Sequence, residues 1–156
     1  MTEKKEFLSI GSGEAEQPFN WSIGKHGSKF LTEIRDNKKI FGVRCPKCGK
    51  VYTPIRKVCG DCFVPMEELV ELSGKGSVYM FTVLSFGFVN PETGEQRPVP
   101  YTYAFIQLDG ADNRFVHFLE ESDVNKIRIG MRVEVVFEEE RKGNMLDIKH
   151  FRTIED

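Results

Sequence analysis

Hydrophobic and polar residues alternate along several short segments in the second half of the chain. In one of them Arg132 and Glu134 separate Met131, Val133 and Val135, a period of two that places the apolar side chains on one face of a β-strand. Six segments of this kind, rich in β-branched and aromatic residues, contain the stretches ELVEL, GKGSVYMFTVLSF, VPYTYAFIQLD, NRFVHFLE, MRVEVVFEEE and MLDIKHFR. Short strands joined by turns rich in Gly, Asp and Asn predict a mainly β fold with a five- to six-stranded barrel of the OB type.

A helical period precedes these strands. The stretch SKFLTEIRDNK puts Phe30, Leu31 and Ile34 on one side of a helix and leaves Lys29 and Glu33 mostly off that side. This spacing predicts a short amphipathic helix whose apolar side packs on the core.

All four cysteines of the chain lie in RCPKCGKVYTPIRKVCGDCF, as two Cys-x-x-Cys pairs with ten residues between them. In a reducing compartment such pairs bind metal far more often than they form disulfides. Four thiolates suit tetrahedral Zn²⁺ and leave no open position for substrate, so Cys45, Cys48, Cys59 and Cys62 predict a structural, rubredoxin-like zinc ribbon. Iron in an electron carrier, a redox dithiol and unliganded thiols are the alternatives.

These patterns divide the chain into three predicted parts. A flexible tail and the amphipathic helix occupy residues 1–37, the zinc ribbon residues 38–66 and the OB-fold barrel residues 67–156. Between two barrel strands the stretch GFVNPETGEQRPVP exceeds normal turn length, and we expect it to form a long loop rather than a hairpin.

Composition and charge narrow the function classes. The net charge of −2 with 29% charged and 40% hydrophobic residues is ordinary for a globular protein and does not favour a polyanion-binding surface, so nucleic acid is not the expected partner. The first 20 residues lack the apolar core of a signal peptide, and no apolar run reaches about 18 residues. These features predict a cytoplasmic protein without a membrane partner.

The order of helix, ribbon and barrel carries a family resemblance. The ribbon RCPKCGKVYTPIRKVCGDC, followed by GKGSVYMFTVL, YAFIQLDG and IGMRVEVVFEE, resembles the zinc-ribbon plus OB-fold proteins that accompany thiolases, over residues 20 to 153. The resemblance implies an accessory subunit, in a hetero-oligomer with a thiolase-type enzyme, whose barrel helps hold acyl-CoA. It leaves the acyl group open, because no residue selects an aromatic acyl group over acetoacetyl-CoA.

The chain contains no recognisable catalytic residue of its own. Its four cysteines are assigned to metal, and His26, His117 and His150 lie in no nucleophile or metal motif. We interpret His117 as a hydrogen-bonded sheet histidine, His150 as a strand residue and His26 as part of a glycine-flanked surface turn. Independent catalysis is therefore not expected.

Basic residues are concentrated around the ribbon. Seven occur between Asn37 and Gly60 and no acidic residue does. They compensate the formal charge of −2 on a Cys₄ zinc site, or they attract an anionic partner. Given the resemblance, Arg56 and Lys57 are the candidate contacts to coenzyme A phosphates.

Five apolar residues form the predicted partner interface. They are Trp21 and Ile23 before the helix and Phe86, Phe88 and Val89 in the long loop. Prolines lower the entropy cost of ordering that loop at an interface. The alternatives are that Trp21 and Ile23 pack on the core and that the loop aromatics cap the barrel.

Two aromatic features of the barrel leave further alternatives open. Tyr101 and Tyr103 point the same way along a strand, where they line a ligand groove or pack in the core. Strands such as YTYAF can also stack bases, so a zinc-ribbon and OB-fold protein that binds RNA is the rival function.

Overall fold

The structure, a computed structural model, describes residues 22–89 and 94–155. Its helix and strands, in chain order, are α1 Gly24–Asn37, β1 Ile40–Arg44, β2 Val51–Tyr52, β3 Glu68–Leu72, β4 Lys75–Leu84, β5 Tyr101–Leu108, β6 Phe115–Leu119, β7 Arg132–Phe137 and β8 Ile148–Thr153, with a 3₁₀ turn at Met145–Asp147 before β8. No helix within the described ranges is long and apolar enough to cross a membrane.

Helix α1 is the predicted amphipathic helix, and it packs its apolar side on the common core. Phe30 and Ile34 are fully buried, and Leu31 packs against the same core at its edge. The Phe30 ring lies 6.5 Å from that of Phe115, centroid to centroid, which ties the helix to the barrel. His26 belongs to this helix and not to a surface turn, because the helical period extends back to Gly24.

The cysteine-bearing part of the chain is a three-stranded antiparallel sheet in the order β2–β1–β3. Strand β3, the ELVEL segment predicted among the barrel strands, instead pairs with β1 along its whole length. Charge favours this pairing, because Lys39 Nζ lies 2.8 Å from Glu71 Oε2 and Arg44 Nε lies 3.1 Å from Glu68 Oε1. The carboxylates that pair with Lys39 and Arg44 thus come from β3, a strand of the ribbon sheet itself.

The other five strands close into the predicted barrel, in the order β4–β5–β6–β8–β7. Neighbouring strands are antiparallel except β6 and β8, which run parallel, and β7 closes the barrel against β4. This is the five-stranded arrangement of an OB-fold. Its interior is filled by fully buried side chains, among them Val78, Ile106, Phe115, Val133 and Phe151.

The ribbon and the barrel are joined by the turn between β5 and β6. Val51 N donates to Asp112 Oδ2 at 2.7 Å, and Asp112 N donates to Val51 O at 2.8 Å. Thr53 N donates to Asn113 Oδ1 at 2.9 Å, and Asn113 Nδ2 donates to Thr53 O at 2.7 Å. Four hydrogen bonds therefore continue the ribbon sheet onto the barrel, and both parts share one core.

Asn113→Ala is expected to lower the free energy of unfolding by about 1–3 kcal/mol, because it leaves both backbone groups of the buried Thr53 without partners. Urea unfolding measures the change. Asn125→Ala is the matched control, since Asp123, in the same exposed loop, is the one described residue to which the Asn125 side chain bonds. Equal losses in the two variants would show that the two Asn113 hydrogen bonds contribute nothing to stability.

Candidate metal centre and exposed aromatic surfaces

The two Cys-x-x-Cys pairs form facing turns that bring their sulfurs together. The Sγ atoms of Cys45, Cys48, Cys59 and Cys62 all lie within 4.8 Å of one another, and Cys48 Sγ is 3.8 Å from Cys59 Sγ. Four sulfurs at about 2.3 Å from a central Zn²⁺ form a tetrahedron with edges of about 3.8 Å. The four residues therefore fit zinc, as a rubredoxin-like zinc ribbon requires.

Backbone amides in both turns point at the sulfurs. Lys47 N and Cys48 N each lie 3.4 Å from Cys45 Sγ, and Cys62 N lies 3.4 Å from Cys59 Sγ. These partial positive charges stabilise thiolates and orient them toward a metal ion. The turns themselves close through Gly49 N to Cys45 O, at 3.0 Å, and through the equivalent bond in the second pair.

A tyrosine between the two cysteine pairs acts on the second pair. The Tyr52 hydroxyl lies 3.5 Å from Cys59 Sγ and 3.3 Å from Asp61 Oδ2. Its hydrogen bond lowers the pKa of Cys59 to about 6, whereas burial and the neighbouring thiols raise the pKa of Cys62 to about 12. The thiol of Cys59 therefore ionises more readily than that of Cys62, and metal binding requires both to be deprotonated. The sequence contains no signal for this role of Tyr52 apart from its position.

The turn of the second pair carries a phenylalanine where the first carries glycine. Phe63 N donates to Cys59 O at 3.1 Å, and Phe63 has a φ of 55°, as Gly49 has a φ of 76°. A left-handed backbone is rare for a bulky residue. The side chain is nevertheless 81% exposed, so its packing within the chain does not offset the free-energy cost of this conformation. An exposed aromatic ring at this tip is available to a partner.

Phe63→Gly is expected to raise the free energy of unfolding by about 1 kcal/mol, because glycine adopts the left-handed conformation without a Cβ clash. Denaturant unfolding with zinc present measures it. Phe63→Ala is the matched control, since it removes the ring but keeps the Cβ. A glycine variant no more stable than the alanine variant would contradict a strained backbone at this turn.

Three of the seven basic residues around the ribbon form ion pairs with other described residues of the chain. Besides Lys39 and Arg44, which pair with β3, Lys50 Nζ lies 2.6 Å from Asp61 Oδ2. The structure places the candidate Arg56 over the ring of Tyr52, with its guanidinium carbon 3.6 Å from the ring centroid. Basic residues of the patch that form no ion pair with any described residue are Lys38, Lys47, Arg56 and Lys57.

The predicted interface residues within the described ranges are exposed. Phe86 and Phe88 are each 60% exposed and contact each other edge to face, with ring centroids 5.2 Å apart. Val89 is exposed on the same loop, and Ile23 is exposed at the N-cap of α1. Trp21 lies outside the described residues. The loop aromatics therefore do not bury themselves as a cap over the barrel.

The long loop pairs with itself, in contrast to the expectation of a loop without hairpin pairing. Val89 and Gln96 form an isolated antiparallel bridge, and Arg97 N donates to Phe88 O at 3.1 Å. Gly87 permits this approach, because a Cβ there would lie 2.6 Å from Arg97 O. Phe86 and Phe88 therefore lie on the first of the two paired sides of the loop.

An aromatic cluster lies at the base of this loop, on the outside of the barrel. The Phe118 ring is 4.5 Å from that of Tyr103 and 6.1 Å from that of Tyr101, and the Arg97 guanidinium carbon lies 3.8 Å above it. A groove of about 390 Å³ opens beside the cluster, lined by Arg97, Tyr101, Phe118, Glu120, Lys149 and His150 among others. Tyr101 thus packs in the cluster and lines the groove at once.

Sequence reasoning missed most of this groove. His150, recognised only as a strand residue, lies 3.6 Å from Glu120 across it, and burial lowers the pKa of His150. His117 is the predicted sheet histidine: it is buried, and its Nε2 lies 2.6 Å from Ile148 O. Burial also lowers the pKa of His117, so burial favours the neutral form of both rings.

Two domain families match the chain in the order that the fold shows. Residues 32–67 match the rubredoxin-like zinc ribbon domain of ChsH2, and residues 69–138 match the C-terminal OB-fold domain of ChsH2. The family boundary falls just before the ribbon strand β3, which pairs with β1.

Curated relatives of this chain include DUF35 domain-containing scaffold proteins and a subunit of a thiolase. A DUF35 domain-containing scaffold protein of Methanocaldococcus jannaschii is 39% identical over 106 residues, which is 67% of this chain and 71% of the relative. The corresponding protein of Methanothermobacter thermautotrophicus is 34% identical over 70% of this chain and 79% of its own length. The benzoylsuccinyl-CoA thiolase subunit BbsA of Geobacter metallireducens is 30% identical over 66% of this chain and 64% of its own.

Solved structures share the fold. The structure titled Ltp2-ChsH2(DUF35) aldolase superposes with a TM-score of 0.59 at 23% identity, covering 85% of this chain and 98% of the other. A DUF35 family protein from Sulfolobus solfataricus gives a TM-score of 0.57, also at 23% identity, over 83% and 84% of the two chains. By its domains and by its similarity to the scaffold proteins, this chain belongs to the DUF35 family of zinc-ribbon and OB-fold proteins.

Proposed function

We propose that this chain is a non-catalytic accessory subunit of a thiolase-type enzyme complex and that it assists the binding of acyl-CoA or the assembly of the complex. The observation that carries the proposal is the gathering of all four cysteines of the chain into one tetrathiolate site. The relatives BbsA and the ChsH2 part of an aldolase complex support a thiolase- or aldolase-type partner.

The chemistry of acyl transfer supports a non-catalytic role. Thiolase chemistry needs an activated thiolate that is open to substrate. Here the four thiols are ligands that close a tetrahedral site, so a bound metal would have no position for substrate. Zinc in this site would hold the two turns together, and the chain's own residues would contribute shape and charge. The partner subunit would then supply the nucleophile.

Charge and exposure on the ribbon support contact with an anionic group at the complex. Lys57 is exposed and has no ion-pair partner among the described residues, while Met66 N donates to Lys57 O at 2.9 Å and holds its backbone. Arg56 is held beside it by the Tyr52 ring. An ordered backbone with a free ammonium group fits the phosphates of coenzyme A, with Arg56 as the second cation.

Co-expression with the thiolase-type proteins of the same genome tests the proposed function. One of them is expected to co-purify with the tagged chain as a defined complex, and 3-ketoacyl-CoA cleavage is expected only when both are present. Cleavage by this chain alone would contradict a non-catalytic role. Tight, salt-sensitive RNA binding without affinity for any such enzyme would favour the RNA-binding alternative instead.

Lys57→Gln is expected to raise the Michaelis constant of the complex for acyl-CoA by about fivefold while leaving assembly intact, because a partly screened phosphate contact is lost. Steady-state kinetics and sedimentation measure the two effects. Lys126→Gln is the control, since Lys126 is an exposed lysine on the loop before β7, at 3.8 Å from Glu121. We substitute Lys57 and keep Arg56, because Arg56 packs on Tyr52 beside Cys59. Equal constants in the two variants would leave the ribbon lysine without a role in binding.

A further inference from the structure

Three apolar residues form an exposed row across three strands of the barrel. Met80 on β4 lies directly opposite Phe105 on β5, and Phe105 lies opposite Val116 on β6. Side chains at such positions share one face of the sheet at about 5 Å from each other. Met80 is 46% exposed, Phe105 40% and Val116 45%, so the row lies on the outside of the barrel, where no described residue covers it fully.

A charged group borders this row. A β-bulge between Val78 and Met80 inserts Tyr79, which is 49% exposed, and the Arg114 guanidinium carbon lies 4.1 Å from the centroid of its ring. Arg114 forms no ion pair with any described residue, and its buried Nε has no hydrogen-bond acceptor. We call these five residues the barrel patch: Tyr79, Met80, Phe105, Arg114 and Val116.

The single positive charge of the barrel patch distinguishes among three candidate partners: nucleic acid, a second copy of this chain and a different protein. A single strand of nucleic acid needs a track of several cations along its backbone, and the patch contains one. A second copy of this chain would bring the same patch across a two-fold axis, which places two Arg114 side chains together with no carboxylate in the patch to meet them. An apolar protein surface that carries a carboxylate complements both the apolar row and the Arg114 guanidinium, which has no ion-pair partner among the described residues.

We propose that the barrel patch docks on an apolar surface of the thiolase-type subunit, with a carboxylate of that subunit paired to Arg114. The inference rests on the proposed function and adds a second contact to the loop aromatics. The two contacts are separate along the chain, since Met80 lies about 13 Å up strand β4 from Leu84, where the loop begins.

Substitutions that keep β-propensity test the barrel patch. Phe105→Thr combined with Val116→Thr is expected to raise the dissociation constant for the thiolase-type subunit at least about tenfold, because two central apolar contacts are lost. Val124→Thr is the matched control, since Val124 is exposed on the loop after β6 and lies outside the patch. Unchanged zinc content and unfolding midpoint establish that the variants are folded.

The cation is tested separately. Arg114→Gln is expected to weaken binding at low salt and to flatten its salt dependence, whereas Arg114→Lys is expected to keep that dependence.

The proposed function and the barrel-patch proposal would be contradicted by different results. Absence of any complex with the parent chain would overturn the proposed function, and with it this inference. A parent complex that the threonine variants match in affinity would overturn only the barrel patch. Self-association or RNA binding of the parent chain that is lost in the threonine variants would assign the patch to those occupants instead.

Discussion

Replacement of Cys45 by serine is expected to remove zinc from the chain and to lower its free energy of unfolding by several kcal/mol. Structural zinc contributes on the order of 10 kcal/mol in small modules, and a serine hydroxyl is a poor substitute for one of four thiolates. Cys45 is buried beside β1, and two backbone amides point at its sulfur, so the turn would lose both its metal and the anion that these amides stabilise. The parent chain is expected to contain about one zinc per molecule.

Metal analysis and denaturant unfolding measure both effects. Lys47→Gln is the matched control, because Lys47 lies in the same turn without being a ligand. The control is expected to keep the metal and the stability of the parent. Iron with a red colour in the purified parent would show an electron-carrier site, and a fully folded parent without metal would show that the four thiols hold the ribbon unaided.

Replacement of both Phe86 and Phe88 by alanine is expected to weaken the complex with the thiolase-type subunit by a large factor. Exposed aromatic rings that become buried at an interface contribute on the order of 2 kcal/mol each, so the double variant would lose on the order of a thousandfold in affinity. The two rings already contact each other, and the Val89–Gln96 bridge pairs the described parts of their loop, which lowers the entropy lost when a partner covers the rings.

Sedimentation of the mixed subunits measures this loss. Because both rings are exposed, the zinc content and the free energy of unfolding of the variant are expected to equal those of the parent. Val124→Ala removes an exposed apolar side chain elsewhere and is expected to leave assembly unchanged. If the double variant assembles as the parent does, these aromatics serve another purpose.

Local patterns were sufficient to predict much of the fold and the metal centre. The spacing of Phe30, Leu31 and Ile34 predicts α1, because side chains one turn apart share a helix face. The period of two predicts the strands, because alternate side chains along a strand share one face. Two Cys-x-x-Cys pairs predict the metal centre, because each pair presents two thiolates from one turn. In every case the residues that interact are close in sequence.

The strand partners and the surfaces were decided only by the tertiary structure. The ELVEL segment reads as a strand, yet it pairs with β1 rather than with the barrel, and its carboxylates meet Lys39 and Arg44, which lie 32 and 24 residues earlier in the chain. The contact of Asn113 with Thr53 spans 60 residues. The sequence patterns assigned no role to Met80, Phe105 and Val116, and only the barrel register shows that they form an outward row. A sequence period indicates that a strand has two faces, but long-range packing decides which face is buried and which remains for a partner.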